Sequence, residues 1–208
     1  MDKPIESAEV KYTVGSDDFS GSGLSVNWNW NHQPNKDCYE LTGSSLRIYA
    51  QARLSNGFWG MRNVINQKYV NTDYVDVSTR LCLSGMADGQ EAGITHFNGG
   101  TEYITLGIMM RNGHKYIRLD VNGNVTEGIN GYKGSDIYFR TVVDETKTAH
   151  MYYSADNRSW TEAGSAALPT ADRYYYKGDR IGLYTYNDQS ADGYVDFDYF
   201  DYNFTGPA

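Results

Sequence analysis

A chain of 208 residues with a formal net charge of −8 offers no basic stripe to meet phosphates, which excludes nucleic acid as a partner. Hydrophobic residues make up 40%, enough for one core between two layers, and no apolar run reaches the ~18 residues that would point to a membrane-spanning helix. The two cysteines, Cys38 and Cys82, have no C-x-x-C spacing. They read as buried free thiols or as one disulfide, not as a zinc or redox site.

Met1 is followed by Asp, Lys, Pro and Glu where a secretion signal would be basic and then apolar, and residues 1–8, polar and carrying Pro4, read as a linker or tag remnant. The stretch Asp17 to Pro34 opens with two carboxylates before Phe19, turns on Gly21 and Gly23, and ends in a Trp28-x-Trp30-Asn31 run. Gly193 to Phe204 again interleaves carboxylates with aromatics. The two ends are therefore expected side by side in one domain over residues 9–204, with 205–208 as a tail. Between them, residues 38–41 and 45–50 form a strand-turn-strand pattern around Thr42-Gly43. Gln51 to Gly60 is a polar loop with Phe58-Trp59 near its tip. Val75, Val77, Thr79, Leu81 and Leu83 alternate and share one face, which a strand would bury.

Strand patterns follow over residues 92–97, 103–110 and 117–121, the last closed by Asn122-Gly123, the strongest short hairpin signal available. Residues 137–143 and 149–153 continue them, and residues 154–160 make a tight polar turn whose Trp160 folds back on the hairpin. Residues 181–187 and the closing strand complete the set. No amphipathic helical stripe exceeds two turns. More than ten short strands, with 22 glycines against 4 prolines, predict an all-β, two-sheet antiparallel sandwich.

Glycoside hydrolysis requires two facing carboxyls, one with a raised pKa. The one dense acidic run, Asp196 to Asp201, contains no Glu and reads as a solvated or metal-coordinating edge. There is no Gly-x-Ser-x-Gly elbow, and His32, His96, His114 and His150 have neither triad nor zinc spacing. Calcium, which takes six to eight oxygens, is a better use of these acids. Asp18, Gly43 and Asp198 are its expected ligands, in a structural role that ties the two ends together. Sugar binding calls for flat rings to stack on pyranose faces and for planar polar groups to meet hydroxyls. The candidates are Trp30, Phe58, Trp59, Tyr103 and Tyr186 for stacking, with Asn31, His32 and Arg62 for the hydroxyls. In a Trp-x-Trp pair both rings point one way, so at least one of them is expected in the core.

The run from Gly23 to Ala50 resembles the start of the C-terminal β-sandwich domain of glycoside hydrolase family 43 enzymes, the β-xylosidase and arabinofuranosidase group. Met61 to Tyr69 resembles that domain's Arg-Asn-x-x-x-Gln segment, and residues 83–97 its Gly-Met-x-Asp-Gly-x-x-Ala-Gly turn. Residues 152–160 resemble its Tyr-Ser-x-Asp-Gly-x-x-Trp hairpin, with Asn157 where Gly is usual, and Asn tolerates the positive φ. The resemblance implies a concanavalin A-like jelly roll that follows a five-bladed catalytic propeller, so the catalytic acids lie elsewhere. It further implies a secreted bacterial parent enzyme and so an extracellular module, with the cytoplasm as the alternative; the module is expected to be a monomer. In the β-xylosidases a loop of this domain lends a Phe to the catalytic pocket, and Phe58 best matches it. Three functions follow: a xylan- or arabinoxylan-binding module; an accessory domain that completes the neighbouring propeller's pocket; and, least supported, a sandwich-type glucanase.

Overall fold

The computed structural model describes residues 12–170 and 178–205, the side chain of Ile129 apart. The expected linker at residues 1–8 lies outside them. Among the described residues fourteen strands run in chain order: β1 (Asn29–Trp30), β2 (Tyr39–Leu41), β3 (Leu46–Tyr49), β4 (Ile65–Lys68), β5 (Val75–Cys82), β6 (Gln90–Phe97) and β7 (Tyr103–Arg111). After them come β8 (His114–Val121), β9 (Asn124–Tyr132), β10 (Asp136–Val143), β11 (Thr148–Ser154), β12 (Thr161–Ala167), β13 (Arg180–Asn187) and β14 (Tyr194–Phe204). They form two seven-stranded sheets, a front sheet ordered β1-β4-β13-β6-β7-β8-β9 and a back sheet ordered β12-β11-β10-β5-β14-β3-β2. Every pairing is antiparallel. The all-β sandwich read from the sequence is the observed fold.

The alternation in β5 buries Val75, Val77, Thr79 and Leu81 and turns Asp76, Ser78 and Arg80 outward. The core between the sheets is built from such residues, with Ile94, Leu106, Ile108, Phe139, Met151, Leu183 and Phe197 among those fully covered. Asn122 (φ 53°) and Gly123 (φ 90°) turn β8 into β9. Both central residues take positive φ, as the hairpin signal required. The two stretches expected side by side do meet: Asp17 and Phe200 exchange backbone hydrogen bonds of 2.9 and 2.8 Å. Trp28 is the core member of the Trp pair, packed 4.8 Å from Phe200, and its indole N–H donates to Asp17 at 2.8 Å.

Strand β6 is buried along its whole length, on both faces. A strand covered twice in a two-layer protein needs a third layer locally. Here residues 51–63 supply it, lying over the outer face of the front sheet. A β-bulge between Phe197 and Phe200 sets the opposite face: β14 slips its register against β5, so both Phe197 and Phe200 stay buried while Tyr199 turns out.

Candidate functional site

The outer face of the front sheet gathers most of the ring-bearing candidates. Phe58 sits in a short 3-10 turn, Phe58–Gly60, and is only 2% exposed. Its ring stacks on Tyr103 at 5.0 Å and meets Phe97 at 4.8 Å and Tyr184 at 5.6 Å, edge on. Met61 and Val64 complete this second cluster, with Trp59, Tyr103 and Tyr186 packed against it. Around it, the Asn31 amide donates to the Trp59 carbonyl at 3.3 Å and a His32 ring nitrogen lies 2.6 Å from the same oxygen. The Gly60 Cα lies so close to the Ser55 carbonyl that any Cβ would collide with backbone. The loop is thereby fixed at both ends, and the Leu54 N–H to Gly60 carbonyl bond of 2.7 Å closes its neck.

Beneath the loop lies a group that reading the sequence missed. Glu91, on β6, is 4% exposed and accepts from the hydroxyls of Tyr184 at 2.8 Å and Tyr186 at 3.1 Å. Arg118 on β8 ion-pairs with it and also reaches Glu127 at 3.5 Å. Burial pushes the Glu91 carboxyl above its ordinary value, against the pull of Arg118 and the two phenols. Gly107, on the neighbouring β7, makes room for this: a Cβ there would strike the Tyr184 hydroxyl. Arg53 lies over the Tyr186 ring at 4.9 Å and pairs with Asp188 at 2.6 Å. Burial pushes the Tyr186 hydroxyl far above its ordinary value and that of Tyr103 up to about 12.

The remaining candidates separate from this face. Trp30 turns to the opposite side of the front sheet and packs on Tyr39 at 4.7 Å, lining an end trough of about 550 Å³ with Trp28 and Leu41. Arg62 is exposed. The expected display of free rings is thus not what the chain presents. Phe58 is spent on its own sheet, and Asn31 and His32 are spent on the loop backbone. A sequence cannot distinguish a ring offered to a ligand from one that plugs its own domain.

Two of the three residues expected to hold calcium have other partners. The Asp198 carboxylate pairs with Arg80, whose guanidinium would repel a cation. Asp18 is occupied by the Ser20 hydroxyl and N–H at 2.7 and 3.1 Å. Gly43 sits in the β2–β3 turn with φ 94°. Among the described residues no three His, Cys, Asp or Glu side chains are grouped to hold an ion. As seated, the three expected ligands do not fit calcium. The cysteines are free thiols, both half-buried where full burial or a disulfide was expected. His96 is wholly covered between the sheets, bonded to Asp179 at 2.7 Å and Thr141 at 2.8 Å. This Asp-His-Thr array has the order of a nucleophilic triad, but no substrate can touch it.

A jelly-roll sandwich with one sheet closed by its own loop defines the class. The Beta xylosidase C-terminal Concanavalin A-like domain family matches residues 16–203, and the chain belongs to that family. It is 29% identical over 230 residues to a β-xylosidase of Formosa agariphila and 26% identical over 186 residues to a putative β-xylosidase of Xylanibacter ruminicola. Those alignments cover 99% and 88% of this chain but 38% and 33% of the relatives, so the chain spans little more than a third of their length. In structure it is similar to a bifunctional GH43-CE protein of Bacteroides eggerthii, with a TM-score of 0.83, 26% identity, 94% of this chain covered and 26% of that one. The resemblance read from the four motifs is therefore the family found. This family is the non-catalytic C-terminal part of GH43 enzymes.

Proposed function

We propose that the chain is the accessory sandwich of an extracellular GH43 glycoside hydrolase and that it presses loop 51–60 against the catalytic domain to complete its pocket. One observation carries this reading: Phe58 is buried at 2% and anchors a loop at whose neck Leu54 is left 54% exposed. A preorganised loop loses little entropy on docking, which is what a domain needs in order to lend a wall to a neighbour. Among the described residues Leu54 is one of the few large apolar side chains left in water, and Ser55, Asn56 and Gly57 beside it are polar or small. Phe58, as seated, is the anchor of that wall and Leu54 its face. The chain itself cuts no glycoside on this reading, because Glu91 is enclosed by Arg118 and two tyrosines and cannot protonate a leaving group.

The test adds the 208-residue chain to the separately produced catalytic domain of the parent enzyme and follows p-nitrophenyl xyloside release. The expected result is a several-fold rise in activity with the wild-type chain, lost with Leu54→Asp. No rise with the wild-type chain, or an equal rise with both, would reject the role. Binding of xylan or arabinoxylan is a second reading. What favours it is a ring-lined groove on the other sheet, not the rings named from the sequence.

A further inference from the structure

The outer face of the back sheet carries a cleft of about 500 Å³, within the range of small-molecule sites. It crosses β10, β5 and β14, where Arg140, Ser78 and Asp201 stand in one cross-strand row. Ser78 in the middle is small, so the row has a low floor between taller flanks. One flank is Trp160, with the Arg140 guanidinium 5.6 Å from its ring centre. The other is Tyr199, turned outward by the β14 bulge, and Ser16 to Asp18 close the far end.

The walls are built. Asp156 accepts from the N–H groups of Arg158 and Ser159 at 2.9 and 2.8 Å and so locks the turn that carries Trp160. Arg140 holds Asp76 bidentately at 2.7 and 2.6 Å. The Ser16 hydroxyl donates to Asp201 at 2.9 Å. Asn157 and Asn203 line the cleft, yet among the described residues their amides make no hydrogen bond. The site thus offers an indole, a phenol, fixed carboxylate acceptors and two unspent amides.

We propose that this cleft binds a neutral sugar ring of a polysaccharide, with Trp160 and Tyr199 against the ring and Asp201, Asn157 and Asn203 meeting its hydroxyls. The charge sets the class. Asp17, Asp18, Asp76 and Asp201 line the cleft against one guanidinium, already paired with Asp76, so uronate-bearing chains and phosphates are repelled. The cleft lies on the sheet opposite loop 51–60, so this inference and the accessory role stand or fall separately.

Isothermal titration calorimetry of the 208-residue chain is the test. The probe is xylohexaose, a neutral oligomer suited to a chain whose relatives are named β-xylosidases. The expected result is binding that added salt leaves unchanged and that trigalacturonate does not reproduce. Trp160→Ala should weaken it about tenfold, the cost of one lost aromatic contact and its buried area. Ser78→Tyr, which fills the floor, should abolish it, with circular dichroism confirming that both variants fold. No heat with xylohexaose, equal affinity for trigalacturonate, or both variants binding as wild type would each overturn the proposal.

Discussion

Glu91 shows how much one residue can carry without announcing itself. In Gln-Glu-Ala-Gly-Ile-Thr it reads as an ordinary polar position on a strand, because nothing local says that a loop more than thirty residues earlier in the chain will cover it. Its cost is met by Arg118 and by two phenol donors, and removing one charge of such a pair leaves the other buried and unpaired. Arg118→Met should therefore lower unfolding free energy by about 3–5 kcal/mol in urea titration. Adding Glu91→Gln to it should restore most of the loss. If the single variant costs nothing, the ion pair is not what holds this face. Asp198 makes the opposite point: the sequence marks it as a ligand, and Arg80 across the strand pair claims it instead. Partners from distant strands decided both cases.

Two turns show what short elements contribute and how pH reads them. Asp156 organises the turn at residues 154–160, and Asp144 organises the β10–β11 turn by accepting from the Thr146 hydroxyl at 2.7 Å and from the Thr148 N–H at 3.1 Å. These hydrogen bonds hold both carboxyls down at about 2. A depressed carboxylate stabilises the fold above its ordinary value of about 4 and loses that contribution as pH falls through the folded value. Acid titration of wild type and Asp156→Asn should therefore give curves that differ at neutral pH and converge between about pH 4 and 2. Parallel curves across that window would contradict the role given to Asp156. Among the strands, β5 and β8 were legible because one face is apolar and the other is not. Strand β12, Thr-Glu-Ala-Gly-Ser-Ala-Ala, was not: it is an edge strand of small and polar residues with no alternation to read. The β14 bulge had a trace in the sequence, since Phe197 and Phe200 stand three apart where a regular strand would bury every second residue.

At the scale of the whole molecule, the fold, the meeting of the two ends and the family were all readable from patterns spread along the chain. Carboxylate-aromatic stretches at both ends foretold the Asp17–Phe200 bridge, and four ordered motifs carried the family. Which face stays open was not readable. Aromatic side chains at strand and loop positions serve a binding platform and a third packing layer equally well, and only the path of residues 51–63 across the front sheet separates the two. The consequence is a molecule with two unlike sides. The front is sealed by its own loop, with Leu54 left exposed at the loop's neck; the back is open, acidic and ring-lined.

Hydrogen–deuterium exchange of the chain, mixed in turn with the parent's catalytic domain and with xylohexaose, tests this division most directly. Protection of peptides over residues 52–60 by the catalytic domain, and not by the sugar, is the predicted result. Protection of those same peptides by xylohexaose, with none from the catalytic domain, would contradict it.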